Sequence, residues 1–204
     1  MQVTTSMAMH EEMKSDGTMS PDMAERSKEN GRGLVIWFTG LPASGKSTLA
    51  ASARKLLAAH GHAALLLDSD AIRPLIAPGL GYEPEDRDAF YWRLAELAGL
   101  LADQGLVILV AATAALRSYR EVARRRAPAY AEVYLDVGRE ECARRDPKRL
   151  FAKARAAMAS DLAGSRAAYE PPLHPSVVAS GGRDQAAVEA VLRLVDTGRE
   201  GGTS

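Results

Sequence analysis

Cysteine is nearly missing from this chain: Cys142 stands alone among 204 residues. No internal disulfide can form, and no second thiol is available for a zinc site, so a reducing cytoplasm is the expected setting. Charge of either sign is not in excess, because Lys+Arg and Asp+Glu both total 26. That balance favours neither nucleic acid nor a membrane surface as a partner. No apolar run approaches the ~20 residues of a membrane span. The N-terminus lacks a basic start followed by an apolar stretch, so no secretory signal is expected. His10, His60, His62 and His174 show no metal-ligand spacing. No internal repeat is visible.

What is present is concentrated in Gly40-Leu41-Pro42-Ala43-Ser44-Gly45-Lys46-Ser47-Thr48, a complete Walker A phosphate-binding loop. Gly40 and Gly45 let the backbone curl so that successive N–H groups converge on phosphate oxygens. Lys46 brings a mobile positive charge to the β- and γ-phosphates, and the Ser47 hydroxyl is placed to ligate Mg²⁺. The context fits the motif. Leu34 to Thr39 reads as a buried strand, and the Ala- and Leu-rich run from Leu49 to Ala59 reads as a helix whose dipole adds to the phosphate site. A chance Gly-rich turn satisfies neither flank. The Asn-Lys-x-Asp run with which GTPases read guanine is absent, which counts against a GTPase.

The periodicity beyond the loop alternates strand and helix. Strands are expected at 63–67, 106–111, 132–136 and 177–179, and helices at about 85–104, 119–126 and 185–195. Such alternation predicts an α/β fold: a three-layer sandwich resembling the P-loop nucleoside-triphosphate hydrolases. Its central sheet is mostly parallel and five-stranded, buried on both faces and flanked by helices. Residues 1–30, poor in branched apolar side chains, are expected to be a disordered tail. Residues 31–198 would form the P-loop domain, and 199–204 a flexible C-terminus. The basic, then Pro-rich stretch at about 147–175 fits neither period. It is a solvated surface helix leading into a loop or, in a P-loop phosphotransferase, a lid that excludes water.

Asp68-Ser69-Asp70 follows the second strand, at the carboxyl edge where ligands of open α/β sheets bind. Two carboxylates at that spacing can hold Mg²⁺ and take a proton from an attacking hydroxyl. Asp68 can equally cap the next helix, which leaves Asp70 as the better base. Arg73 and Arg87 have guanidinium forks suited to phosphate or sulfate oxygens. Each taken singly is as readily a surface ion pair.

These residues together resemble the adenylylsulfate kinase family, which phosphorylates the 3′-hydroxyl of adenosine 5′-phosphosulfate (APS) with ATP. The resemblance runs from about Leu34 to Val178. It includes Trp37-Phe38-Thr39-Gly40-Leu41, Leu67 to Arg73, Leu80-Gly81-Tyr82 with Glu85-Asp86-Arg87, and Ala102-Asp103-Gln104-Gly105-Leu106. Arg145-Asp146-Pro147-Lys148 with its Lys153-Ala154-Arg155 tail, and Tyr169-Glu170-Pro171-Pro172, complete it. The family pattern implies roles at the matching positions. Gly40 to Thr48 and Arg145 would bind ATP, and Asp68, Asp70 and Lys46 would serve catalysis, with Ser47, Asp68 and Asp70 toward Mg²⁺. Arg73, Arg87 and Tyr82 would hold the acceptor. Lys148, Lys153 and Arg155 would lie in the lid. Related kinases are often dimers, so a homodimer is compatible with the resemblance; the substrates implied are small molecules.

The departures from the pattern fall on the acceptor side. Where the family has Phe-Ile-Ser-Pro after the third strand, this chain has Ala112-Thr113-Ala114-Ala115, and Ala114 replaces a serine that carries phosphate in some members. An Asn that contacts the acceptor is Phe90, and an Arg-Arg pair is Trp92-Arg93. The lid's Lys-x-Phe-Thr-Gly reads Ser160-Asp161-Leu162-Ala163-Gly164, and Asp-Gly-Asp-Asn reads Asp68-Ser69-Asp70-Ala71. An unpaired buried polar group costs about 1–3 kcal/mol, so three lost contacts weaken APS recognition on the order of a thousandfold unless other groups compensate. Phe90, Trp92 and Leu162 can compensate by building an apolar, stacking pocket, although Phe90 also suits a plain core. APS kinase activity is therefore the leading expectation. Its rivals are a P-loop kinase acting on another small hydroxyl compound and a nucleotide-binding regulator without turnover.

Overall fold

The computed structural model describes residues 33–145 and 169–200. The expected tail, most of the expected lid, and Lys148, Lys153, Arg155 and Leu162 lie outside the described residues. Five strands, β1 (Leu34–Gly40), β2 (Ala64–Asp68), β3 (Val107–Ala111), β4 (Tyr130–Leu135) and β5 (Val177–Ala179), form one sheet in the order β2-β3-β1-β4-β5. Every pairing is parallel. Six helices are described: α1 (Lys46–Ala59), α2 (Ser69–Ile76), α3 (Pro84–Ala102), α4 (Arg117–Arg126), α5 (Arg139–Arg145) and α6 (Gln185–Glu200).

The two-residue period of β1 divides the core. Leu34, Ile36 and Phe38 face one layer with Leu49, Ala53 and Leu57 of α1 and Val188 and Val191 of α6. Val35 and Trp37 face the other, with Phe90, Leu94 and Ala98 of α3 and Tyr119 and Ala123 of α4. Central strands buried on both faces read as continuous apolar runs, as β1 and β3 do. The outer strands differ from the expectation. Leu65 of β2 and Val178 of β5 are exposed, because an edge strand is covered by helices on one face only.

Local chemistry sets the helix bounds. Asp68 accepts a hydrogen bond from the Asp70 backbone N–H at 3.0 Å and caps α2. Pro84 opens α3, with Glu85 and Asp86 in its first turn, and Gly105 (φ 79°) turns the chain out beyond its end. Arg124, Arg125 and Arg126 close α4 against its negative end. Helix α5 lies outside the expected set; α2 is the helix that follows Asp68, and its Ile72 and Ile76 pack against the layer holding Trp37 and Phe90. Helix α6 continues to Glu200, so the expected C-terminal tail begins later than residue 199.

Candidate functional site

At the carboxyl edge of the sheet, β1 hands the chain to the Walker A loop. Gly45 (φ 102°) and Ala43 (φ 61°) take left-handed conformations that turn the backbone back on itself. The space is as restrictive as the angle. A Cβ on Gly45 would lie 2.6 Å from the Gly182 nitrogen, and one on Gly40 would lie 2.9 Å from the Leu135 carbonyl oxygen. The loop therefore packs main chain to main chain against the turn Ser180-Gly181-Gly182-Arg183-Asp184 that follows β5. Asp184 holds this turn, accepting from the Ser180 N–H at 2.8 Å, the Ser180 hydroxyl at 2.9 Å and the Ala187 N–H at 3.0 Å. Those bonds, led by the Ser180 N–H, keep its carboxyl below the usual range.

Lys46 Nζ donates to the carbonyl oxygens of Gly40 at 3.1 Å and Leu41 at 2.8 Å. Burial lowers its pKa to about 8, with Cys142, Asp70 and Asp68 acting the other way. An ammonium whose partners among the described residues are carbonyl oxygens, in front of a curled loop of N–H donors, fits the oxygens of a polyphosphate. Ser47 and Thr48 are exposed at the loop's rim.

An open cleft of about 780 Å³ joins these parts. Its walls include Pro42, Ala43 and Gly45 to Thr48 of the loop, Asp68 and Asp70 from the end of β2, and Arg145. Gly40 and Leu41 are not among the lining residues. Ser44 is buried, its Oγ without a hydrogen-bond partner among the described residues. The structure thus brings together the expected nucleotide residues and both carboxylates in one space. Asp68 is divided between capping α2 and facing the cleft, whereas Asp70 sits in the first turn of α2, exposed to it. Among the described residues no three His, Cys, Asp or Glu side chains cluster to cage a metal. Mg²⁺ in phosphoryl-transfer sites takes one or two protein oxygens plus phosphate and water, a donor set that Ser47 with Asp68 and Asp70 can supply.

Arg73, Arg87, Tyr82 and Phe90 form a second group beside the cleft. Arg73 Nη1 donates to the Gly81 carbonyl at 3.0 Å, and its Cζ lies 4.7 Å from the Tyr82 ring centre and 3.8 Å from that of Phe90. Arg87 Nε donates to the Tyr82 carbonyl at 2.6 Å. Phe90 is buried and Trp92 exposed. Two residues apart on a helix, they point to different sides, so the expected joint pocket of Phe90 and Trp92 does not form.

Sequence reasoning passed over several contacts near the cleft. Thr39 Oγ1, just before the loop, donates to the Thr113 carbonyl at 2.7 Å and lies 3.0 Å from the Tyr169 hydroxyl. Ala114 (φ 39°) is held from both sides: its N–H donates to Tyr91 Oη at 3.1 Å, and its carbonyl accepts from Arg120. Arg120, itself buried, also donates to Glu132 and to the Glu170 carbonyl, each at 2.6 Å. None of these contacts has a local spacing that announces it.

Comparison with known proteins agrees with this geometry. The family model of adenylylsulphate kinase matches residues 32–180. An adenylyl-sulfate kinase from Enterobacter sp. (strain 638) is 36% identical over 197 residues, covering 95% of this chain and 97% of the relative. One from Vibrio cholerae serotype O1 is 39% identical over 159 residues, 76% of this chain and 74% of the relative. The Mycobacterium tuberculosis APS kinase CysC, solved in complex with AMPPNP and APS, superposes with a TM-score of 0.69 at 35% identity. That superposition covers 81% of this chain and 97% of the other. The chain belongs to the adenylylsulphate kinase family, and its fold is that of the P-loop kinases.

Proposed function

We propose that this member of the adenylylsulphate kinase family transfers the γ-phosphate of ATP to the 3′-hydroxyl of APS, giving 3′-phosphoadenylyl sulfate and ADP. The observation that carries the reading is the shared cleft, in which Asp70 faces the same space as Lys46 and the Walker A backbone. The β- and γ-phosphates would lie against the N–H groups of residues 43–48, and Lys46 would exchange its two carbonyl partners for phosphate oxygens. Arg145 and the Ser180–Asp184 turn would border the nucleoside end. Mg²⁺, held by Ser47 with Asp68 and Asp70, would offset charge on the phosphates.

Asp70 would take the proton from the 3′-hydroxyl as that oxygen bonds to the γ-phosphorus and the bond to the bridging oxygen of ADP breaks. Arg73 follows Asp70 by three residues on α2, about one turn, so the base and a guanidinium for the phosphosulfate share one side of the helix. Lys46 would stabilise charge on the transferring group.

ADP release coupled to NADH oxidation, with APS varied, tests this, alongside chromatographic detection of the 3′-phosphorylated product. Product that appears only with both ATP and APS supports the proposal. ATP binding with no APS-dependent ADP release refutes it. A second reading has its own support: Phe90 is buried where the family pattern has an acceptor-contacting Asn, and Ala114 replaces the serine. Under that reading the acceptor is another small anionic hydroxyl compound, found by screening such compounds in the same assay.

A further inference from the structure

Phe90 has the burial of an ordinary core residue, with 1% of its surface exposed. One feature sets it apart from Leu94 and Ala98 on the same helix. The Arg73 guanidinium lies 3.8 Å from the ring centre, a distance reachable only over the face. Tyr82 supplies a second aromatic contact at 4.7 Å, and the Gly81 carbonyl takes one of the five N–H groups.

The loop making these contacts is itself tied to α3. Asp86 Oδ2 accepts from the Gly81 N–H at 2.9 Å, and Arg87 holds the Tyr82 carbonyl. Arg73 is thus restrained from three directions, each traced back to the helix that bears Phe90. A long arginine otherwise loses substantial rotamer freedom when it grips an anion. An aromatic face removes that cost in advance while leaving the remaining edge N–H groups for oxygen ligands.

We propose that Phe90 is a positioning residue for acceptor binding: its ring seats the Arg73 guanidinium so that the edge N–H groups meet the acceptor's anionic group. This rests on the reading of Arg73 as an acceptor ligand. It assigns to a buried ring, acting through a cation, what an amide does by direct contact in the family pattern.

Steady-state kinetics with each substrate varied, for the wild type, Phe90→Leu, Phe90→Tyr, Arg73→Gln and the Phe90→Leu/Arg73→Gln double variant, test the idea. A cation–aromatic contact of ordinary strength predicts a KM for APS raised about three- to thirtyfold in Phe90→Leu, with the KM for ATP within about twofold. Phe90→Tyr keeps the face and is expected to stay near wild type. Phe90→Leu is expected to add little once Arg73→Gln has removed the cation. An unchanged APS KM, equal rises for both substrates, or additive effects in the double variant overturn the proposal. Calorimetric binding of APS to the ADP complex reads the same contact without turnover. A wild type that binds APS but does not phosphorylate it overturns the proposed activity and leaves Phe90 to be judged by binding. One that does neither overturns both. Phe90→Met, with its ATP KM as the folding control, covers the case in which Phe90→Leu fails to fold.

Discussion

Around Lys46 the cleft is shaped by main chain: Gly45 against Gly182, a left-handed Ala43, and a lysine bonded to two carbonyls. Beside it, the group around Arg73 is held by side chains drawn from α2, α3 and the loop between them, and Ala114 is clamped by Tyr91 and Arg120. A backbone cradle tolerates few residue types, because only glycine meets both the angle and the space at position 45. A side-chain pocket can be rebuilt with other residues that preserve its cations. The proposed nucleotide half therefore keeps the family motif intact, and the proposed acceptor half departs from it at Phe90, Trp92 and Ala114.

The largest effect is expected where the two halves meet. Asp70→Asn removes the proton acceptor and keeps the shape, so kcat with ATP and APS is expected to fall by about 10²- to 10⁴-fold. KM for ATP is expected to change little. If kcat holds and only the ATP KM rises, Asp70 belongs to the nucleotide half and the proposed division is wrong. Gly182→Ala probes that half alone. Its Cβ would lie 2.9 Å from the Gly45 carbonyl oxygen and 3.1 Å from Thr48 Cβ, and residue 182 needs no left-handed angle. The clash acts without backbone strain. Overpacking of about 1–3 kcal/mol is expected to raise the KM for ATP about tenfold, leaving that for APS within about twofold.

On the acceptor side, Tyr91→Phe removes one oxygen and leaves the buried N–H of Ala114 without its partner. The expected result is a several-fold rise in the APS KM and a loss of about 1–3 kcal/mol of stability, read by denaturant titration. An ATP KM that moves equally would show that the loop after β3 serves both halves, and would blur the contrast.

The same contrast explains what the sequence made legible. The sheet, its parallel order and the phosphate loop follow from periodicity and one motif, because both are local: alternate residues of β1 choose their layer, and the motif's glycines set the turn. Helix α5 escaped that reading because seven residues with one buried side chain, Cys142, carry no period. Tyr91, Arg120 and the Gly181–Gly182 turn escaped because their partners are distant in sequence. Ala114 to Tyr91 spans 23 residues, and Arg120 to Glu170 spans 50. Phe90 was visible as a departure from the family pattern, but only the fold shows the cation lying on it.

The smallest expected effect is a proton. Lys46 has its pKa lowered to about 8 by burial in the protein without nucleotide. Phosphate oxygens in place of the Gly40 and Leu41 carbonyls would favour the charged form and move it back up. Between about pH 8 and pH 10 the free protein has therefore lost a proton that the complex retains, so binding takes one up and affinity for ATP falls as pH rises through 8. In the free protein the sign for stability is opposite. The unfolded chain, with an ordinary lysine, binds more protons over that window, so Lys46's contribution to stability rises with pH there. Calorimetry of ADP binding at pH 8 in two buffers of different ionisation enthalpy should show uptake of about half a proton in the wild type and none in Lys46→Met. Equal uptake in both proteins would place the titrating group elsewhere.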